Sequence, residues 1–119
     1  MPSMGFYSLQ PNRAPVKRLV NDVKITVVAM LKPGKVFDEL AADTVTPECA
    51  RYKMGGEYVS KGMAMPEGFC SWAWADIQRD VAHLAMGGDF PWIKEPGKMV
   101  SCCTDGLRPV VFKLERVEP

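Results

Sequence analysis

Four cysteines, Cys49, Cys70, Cys102 and Cys103, are the residues of this sequence best suited to covalent or metal-binding chemistry. They form no Cys-x-x-Cys motif and only one histidine, His83, accompanies them, so their spacing does not favour a zinc or iron–sulfur site. We therefore assign no metal ligands, and a metal–thiolate protein stays open as an alternative. The spacing is also not typical of a secreted disulfide framework. We therefore expect the protein in the reducing cytoplasm.

Cys70 lies at the start of the clearest helix that the sequence predicts. Unpaired backbone amides and the positive end of the helix dipole favour a thiolate at such a position. Cys70 is therefore the first candidate for a catalytic nucleophile. The alternative is a small, buried, apolar residue, which is how free cysteine usually behaves.

Cys103 is predicted to lie directly opposite Arg108 in a hairpin. Asp105-Gly106 is a favoured two-residue type I′ turn, and such a turn pairs Cys103 with Arg108 and Cys102 with Pro109. A guanidinium close to a thiol favours the reactive thiolate, so Cys103 is the second catalytic candidate. Arg108 is predicted to bind an anionic group of a ligand.

Asp76 is the third catalytic candidate. Asp76, Asp80 and His83 have the i, i+4 and i+7 spacing that places side chains on one face of a helix, a geometry compatible with acid–base work. The alternative is a solvated polar face. We select Asp76 for moving a proton because it follows the tryptophans in the same short stretch.

Aromatic residues are concentrated around the predicted helix and the loop after it. Trp72, Trp74 and Trp92 are predicted to line an apolar ligand pocket, although aromatic clusters of this kind are more often core. We hypothesise that Cys70 and Cys103, with Cys49 as a third thiol, converge on that pocket.

The elements that must position these residues follow from hydrophobic periodicity. Alternating apolar residues predict strands and a 3.6-residue apolar stripe predicts a helix. The sequence predicts a strand from 23 to 31, a short helix at 36–41, a strand at 55–60, the main helix at 71–86 with Ser71 as N-cap, and a hairpin of strands at 99–104 and 107–117. Pro109 indicates that the hairpin is an edge or contains a bulge near the cysteines. The fold class is α+β: a small mixed or antiparallel sheet, one main helix and a C-terminal β-hairpin.

Length and charge limit the protein further. A chain of 119 residues has room for one hydrophobic core, so we expect a flexible N-terminal arm at 1–21 and a single domain at 22–119. Lys plus Arg is 15 against 14 for Asp plus Glu, which does not favour nucleic acid as a partner. No apolar run approaches the ~20 residues needed to span a membrane. No phosphate-binding glycine loop precedes a helix, so nucleotide cofactors are disfavoured, and the sequence indicates no particular cofactor.

From about Val23 to Val117 the chain resembles a family of small bacterial and archaeal proteins that has no assigned function. The resemblance rests on PEGFCSWAW at 66–74, on Gly87-Gly88 with Pro91-Trp92, and on CCTDGLRPVVFKLER at 102–116. The family's pattern also includes a cysteine shortly before the second strand, followed by aromatic and glycine positions, and Cys49, Tyr52, Gly55 and Tyr58 fit it here. The resemblance implies a set of relatives and no activity.

Three functions are compatible with these observations, and whether the protein is an enzyme stays open among them. The first is a small enzyme or small-molecule-binding protein with a thiol-bearing, aromatic-lined pocket. The second is a non-catalytic accessory or oligomerisation module, and the third is the metal–thiolate protein. We expect a homo-oligomer in each case, because an edge strand and excess aromatic residues need covering.

Overall fold

The computed structural model describes residues 20–117. Two helices and four strands follow one another in the predicted order: β1 (Asp22–Met30), α1 (Gly34–Leu40), β2 (Glu57–Ser60), α2 (Ser71–Ala85), β3 (Lys98–Cys102) and β4 (Val110–Val117). The predicted N-terminal arm, apart from its last two residues, lies outside the described residues. Within 20–117, neither helix has the length and apolar character needed to cross a bilayer.

The four strands form one antiparallel sheet in the order β2-β1-β4-β3. β1 and β4 occupy the centre, and the short strands β2 and β3 form the two edges. Helix α2 packs against β1, β3 and β4. The predicted α+β fold, with one main helix and a C-terminal hairpin of β3 and β4, is confirmed.

The core lies between α2 and one face of the sheet. In β1 the apolar residues Val23, Ile25 and Val27 alternate with polar ones, and every second side chain of a strand points to the same face. The core is completed by the apolar stripe of α2 and the inward face of β4, which comprise Ala73, Ile77, Val81, Leu84, Val110, Phe112 and Leu114. The amino end of α2 is thereby held beside the connection that joins β3 to β4.

The predicted pairing of the hairpin is wrong by two residues. Cys102 pairs with Val111 instead of Pro109, and the connection spans residues 103–109 rather than a two-residue turn. The carboxylate of Asp105 explains the difference, because its Oδ1 accepts the N–H groups of Leu107 at 2.9 Å and Arg108 at 3.1 Å. Local bonds of this kind compete with ladder pairing. A shift of two residues keeps every side chain on its predicted face.

Strand β4 is neither an edge nor bulged near the cysteines. Pro109 lies just before β4 begins, where its missing N–H removes no ladder bond, and its carbonyl accepts the N–H of Leu31 at 2.8 Å. The sheet irregularity lies instead in β1, between Val27 and Ala29. The edge strand of the hairpin is β3.

The N-cap of helix α2 lies one residue earlier than predicted. Cys70, not Ser71, is the N-cap residue, and it makes no side-chain capping bond. Its carbonyl accepts the first helical bond, from the N–H of Trp74 at 2.9 Å. The thiol of Cys70 therefore stands at the junction between an extended segment and the helix.

Candidate functional site

A cavity of about 430 Å³ lies at the amino end of α2. This thiol cavity is bounded by the segment at 49–52, the first turn of α2 and the connection between β3 and β4. Its volume is within the roughly 300–1,000 Å³ typical of small-molecule sites. The residues lining it are Cys49, Arg51, Tyr52, Cys70, Trp72, Ala73, Cys103, Thr104, Asp105, Gly106 and Arg108.

Three of the four cysteines line the thiol cavity. Cys49 and Cys70 are half-buried, and Cys103 is 7% exposed. Cys102 is exposed and does not line the cavity, because successive residues at the end of β3 point to opposite faces of the sheet. The structure thus brings together the three thiols that the sequence analysis placed in one pocket.

Cys70 is held in place by Tyr52. The backbone N–H of Cys70 donates to the Tyr52 hydroxyl oxygen at 3.1 Å. The Tyr52 ring packs edge-on against Phe69 and Phe112, with ring centres 5.4 and 5.2 Å apart. Burial of the phenol raises the pKa of Tyr52 well above its ordinary value, and the hydrogen bond from the Cys70 N–H lowers the pKa by a smaller amount. The Tyr52 hydroxyl therefore keeps its proton at neutral pH and can donate it to an acceptor.

Cys103 lies opposite Val110, so its predicted position opposite Arg108 is wrong. The backbone N–H of Cys103 donates to the Val110 carbonyl at 3.0 Å, and the Val110 N–H approaches Cys103 Sγ at 3.2 Å. The thiol sits at the edge of the core and is less accessible than that of Cys70. Cys103 and Arg108 still line the same cavity, although no cross-strand pairing links them.

Arg108 connects two loops beside the cavity. Its Nη1 donates to Thr46 Oγ1 at 3.0 Å and lies 3.5 Å from the carbonyl oxygens of Thr46 and Glu48. Its Nε is buried without a hydrogen-bond partner and lies 3.8 Å from Asp105 Oδ2. One side of the guanidinium is therefore fixed to the segment at 46–48, whereas the Nε side is not.

Asp76 lies outside the cavity lining and holds the connection between β3 and β4. Its Oδ2 accepts the backbone N–H of Thr104 at 2.7 Å, and both carboxylate oxygens lie within 3.2 Å of Thr104 Oγ1. Asp80 is buried and His83 is exposed, so the three polar residues of the predicted face occupy different environments. The role of Asp76 in moving a proton stays a prediction.

Only one of the three tryptophans reaches the thiol cavity. Trp72 lines it, is 66% exposed, and donates its indole N–H to Thr104 Oγ1 at 3.1 Å. Trp74 is half-buried with its ring 6.1 Å from that of Phe69, and Trp92 is 69% exposed and contacts Phe90. Neither Trp74 nor Trp92 lines the cavity.

Sequence reasoning did not assign a role to Tyr52 or Thr104. The sequence marked Tyr52 only as an aromatic position following Cys49, and it marked Thr104 only as a residue of the predicted hairpin. A buried tyrosine close in sequence to a cysteine was the available signal for the first. No local signal marks Thr104, because its partners Trp72 and Asp76 are about 30 residues away in sequence.

The described residues include all four cysteines and hold no group of three or more His, Cys, Asp or Glu side chains arranged to bind a metal ion. The cavity instead offers separate thiols, a protonated phenol and two guanidiniums. Comparison with known proteins found no matching family model, curated protein or solved structure. The chemistry of the site must therefore be argued from its own geometry.

Proposed function

We propose that this protein binds a small electrophilic molecule in the thiol cavity and that Cys70 attacks it. The observation that carries the proposal is the meeting of Cys49, Cys70 and Cys103, from three separate parts of the chain, in one cavity of ligand size. Cysteines with only a packing role are usually fully buried in the core. Cys49 and Cys70 are only half-buried and border open space instead.

Each group at the cavity has a chemical role in this proposal. The Cys70 thiol loses its proton to solvent and its sulfur forms a bond to an electrophilic carbon of the ligand. The electron pair of the bond that breaks at that carbon moves to a leaving group or to a neighbouring oxygen. The Tyr52 hydroxyl can stabilise that oxygen by hydrogen bonding. Trp72 supplies an aromatic wall, and Cys103 is a second, deeper thiol. Release of the adduct would make the protein an enzyme, and its persistence would make it a binding protein.

Asp76 acts as a positioning residue in this scheme. Its carboxylate is engaged by the backbone and hydroxyl of Thr104, which lines the cavity. Asp76 thereby fixes the connection that carries Cys103 and Arg108. Direct proton transfer by Asp76 would require its carboxylate to break the hydrogen bonds to Thr104.

Cytoplasmic location and self-association belong to the same proposal, as does membership of the family that the chain resembles. Four free thiols suit a reducing compartment. β3 is an edge strand, and unpaired strand edges are surfaces on which a second chain can add. Native mass spectrometry would measure the oligomeric state directly.

Alkylation of the native protein tests the proposal. Iodoacetamide should label Cys70 in the folded protein, and tandem mass spectrometry of the digested protein identifies each modified cysteine. Exposed Cys102 is the internal reference, and Cys70→Ser should remove only the Cys70 signal. We expect Cys103 to react more slowly than Cys70 because it is buried. Labelling of Cys70 only after denaturation would contradict the proposal and favour thiols with a packing or interface role.

A further inference from the structure

We propose that the electrophile bound in the thiol cavity carries a carboxylate, which Arg108 and Arg51 bind while Cys70 reacts with the rest of the molecule. This inference rests on the proposed function and names its substrate class: small, anionic, electrophilic carboxylic acids. It concerns the charge of the substrate, which the reactivity of the thiol alone does not determine.

The charged groups lining the cavity are mostly cationic. The lining contains two guanidiniums, those of Arg51 and Arg108, and a single carboxylate, that of Asp105. Asp105 Oδ1 is already engaged by two backbone N–H groups of its own loop, and its Oδ2 lies at ion-pair distance from Arg108, so Arg51 has no carboxylate partner in the lining. An uncompensated positive charge therefore lies along the wall of the cavity and attracts anions.

One edge of the Arg108 guanidinium makes no hydrogen bond among the described residues, although Asp105 Oδ2 lies 3.8 Å from its Nε. Nη1 is fixed to Thr46, whereas Nε is buried without a hydrogen-bond partner, and Nη2 has none among the described residues. Leaving a buried donor unpaired costs free energy that a bound acceptor would recover. A carboxylate in the cavity can accept from Nη2, and it can bind Nε and Nη2 together only where it displaces Asp105 from the buried Nε.

Arg51 adds a second, exposed charge to the cavity lining. Its side chain is exposed, and no carboxylate within residues 20–117 lies at ion-pair distance from it. A long, exposed guanidinium can guide an anion to the cavity and then close over it. Arg108 would thus fix the carboxylate and Arg51 would increase the rate of association.

The remaining walls suit the rest of such a molecule. Trp72 and Tyr52 offer aromatic surface, and the half-buried thiol of Cys70 borders the same space. In the reaction, Cys70 sulfur bonds to a carbon near the carboxylate, the leaving group departs with its electron pair, and the thiol proton passes to solvent. The carboxylate itself does not react.

Two alkylating reagents of nearly equal size test the inference. Iodoacetate is anionic and iodoacetamide is neutral. Iodoacetate transfers a carboxymethyl group to the cysteine sulfur, iodoacetamide transfers a carbamidomethyl group, and both release iodide. The measured quantity is the iodoacetate-to-iodoacetamide rate ratio at Cys70, divided by the same ratio at Cys102 in the same sample. We expect this quotient to be about five, because one close pair of opposite charges in water changes a rate by about that factor.

The quotient should respond to the two arginines. It should fall towards one in Arg51→Gln with Arg108→Gln and fall in Arg51→Gln alone, whereas it should stay unchanged in Lys61→Gln, which removes one positive charge outside the cavity lining and so matches the single variant. Should the double variant fail to fold, Arg51→Gln alone, at an exposed position, should still lower it. Added salt should also lower it, because screening weakens the attraction.

The outcomes separate the two proposals. A quotient of one in the wild-type protein, with Cys70 labelled by both reagents, would overturn the carboxylate inference and leave the proposed function standing. A high quotient that survives loss of both arginines would overturn their assignment. Failure of both reagents to label native Cys70 would overturn the proposed function and, with it, the inference.

Discussion

Tyr52 is the residue on which the geometry of the thiol cavity depends most directly. Its hydroxyl accepts the N–H of the N-cap residue of α2, and its ring is packed among Tyr58, Phe69 and Phe112. The same side chain thus anchors the start of the helix and the segment that follows Cys49. One aromatic residue links the core to the candidate nucleophile.

We predict that Tyr52→Phe lowers the free energy of unfolding by about 1–2 kcal/mol at neutral pH, because the Cys70 N–H loses its acceptor. The raised pKa of Tyr52 adds a pH dependence. The unfolded chain releases the phenol proton from about pH 10, whereas the folded protein still retains it, so this contribution is fully present below pH 10 and is lost as pH rises through the folded pKa.

Urea unfolding across pH 7–11 measures this effect. The wild-type protein should lose stability more steeply above pH 10 than Tyr52→Phe does. Tyr58→Phe is the matched control for removing a phenol oxygen. Parallel stability profiles for wild type and Tyr52→Phe above pH 10 would contradict the prediction.

Among the elements, α2 and the connection at 103–109 act together. Asp76 and Trp72 both project from the first two turns of α2 and both bind Thr104. Helical spacing of four residues places these two side chains on one face. The helix therefore orders the connection that carries Cys103, Asp105 and Arg108 to the cavity.

We predict that Asp76→Ala loosens this connection without unfolding the sheet. Removing the carboxylate leaves the Thr104 N–H without its acceptor at a cost of about 1–2 kcal/mol. Hydrogen exchange should accelerate at Thr104 and its neighbours, and labelling of Cys103 should accelerate with it. Asp38→Ala, which removes an exposed carboxylate on α1, is the control. Equal acceleration at every amide would show a global loss of stability instead.

On the scale of the whole molecule, the sheet has two different faces. One face packs against α2 and holds the core. On the other face, Glu115 of β4 pairs directly across the sheet with Lys24 of β1 and Lys98 of β3, and its carboxylate also lies 3.3 Å from Lys113 Nζ. Oppositely charged residues on neighbouring strands stabilise a sheet, and a lysine on an edge strand, here Lys98 on β3, discourages aggregation.

We predict that Glu115→Gln destabilises the protein at low ionic strength, because three ammonium groups then lose the carboxylate they share. The difference from wild type in the urea midpoint should shrink at 1 M salt, where charges interact over only ~3 Å. Glu57→Gln, whose carboxylate lies near one ammonium group within residues 20–117, that of Lys24, should have a smaller effect. A difference that is independent of salt would point to packing rather than charge.

The sequence by itself determined the elements and the residues on each face. Val23, Ile25 and Val27 alternate in burial, and Ala73, Ile77, Val81 and Leu84 form one buried stripe. These patterns depend on periods of 2 and 3.6 residues, which are properties of the backbone and need no knowledge of partners. The faces of β3 and β4 were therefore correct even though their register was not.

Tertiary structure decided the register, the helix cap and the contents of the cavity. The local sequence is compatible both with a type I′ turn and with the loop in which Asp105 Oδ1 accepts two backbone N–H groups, and the pairing of Cys102 with Val111 in the assembled sheet goes with the second. Arg108 binds Thr46, 62 residues away, instead of facing Cys103, and Asp76 binds Thr104. Such pairings depend on how strands and helix stack in space, because a side chain bonds to whatever partner packing brings within about 3 Å. Hydrophobic periodicity in the sequence does not specify which distant residues come within that distance.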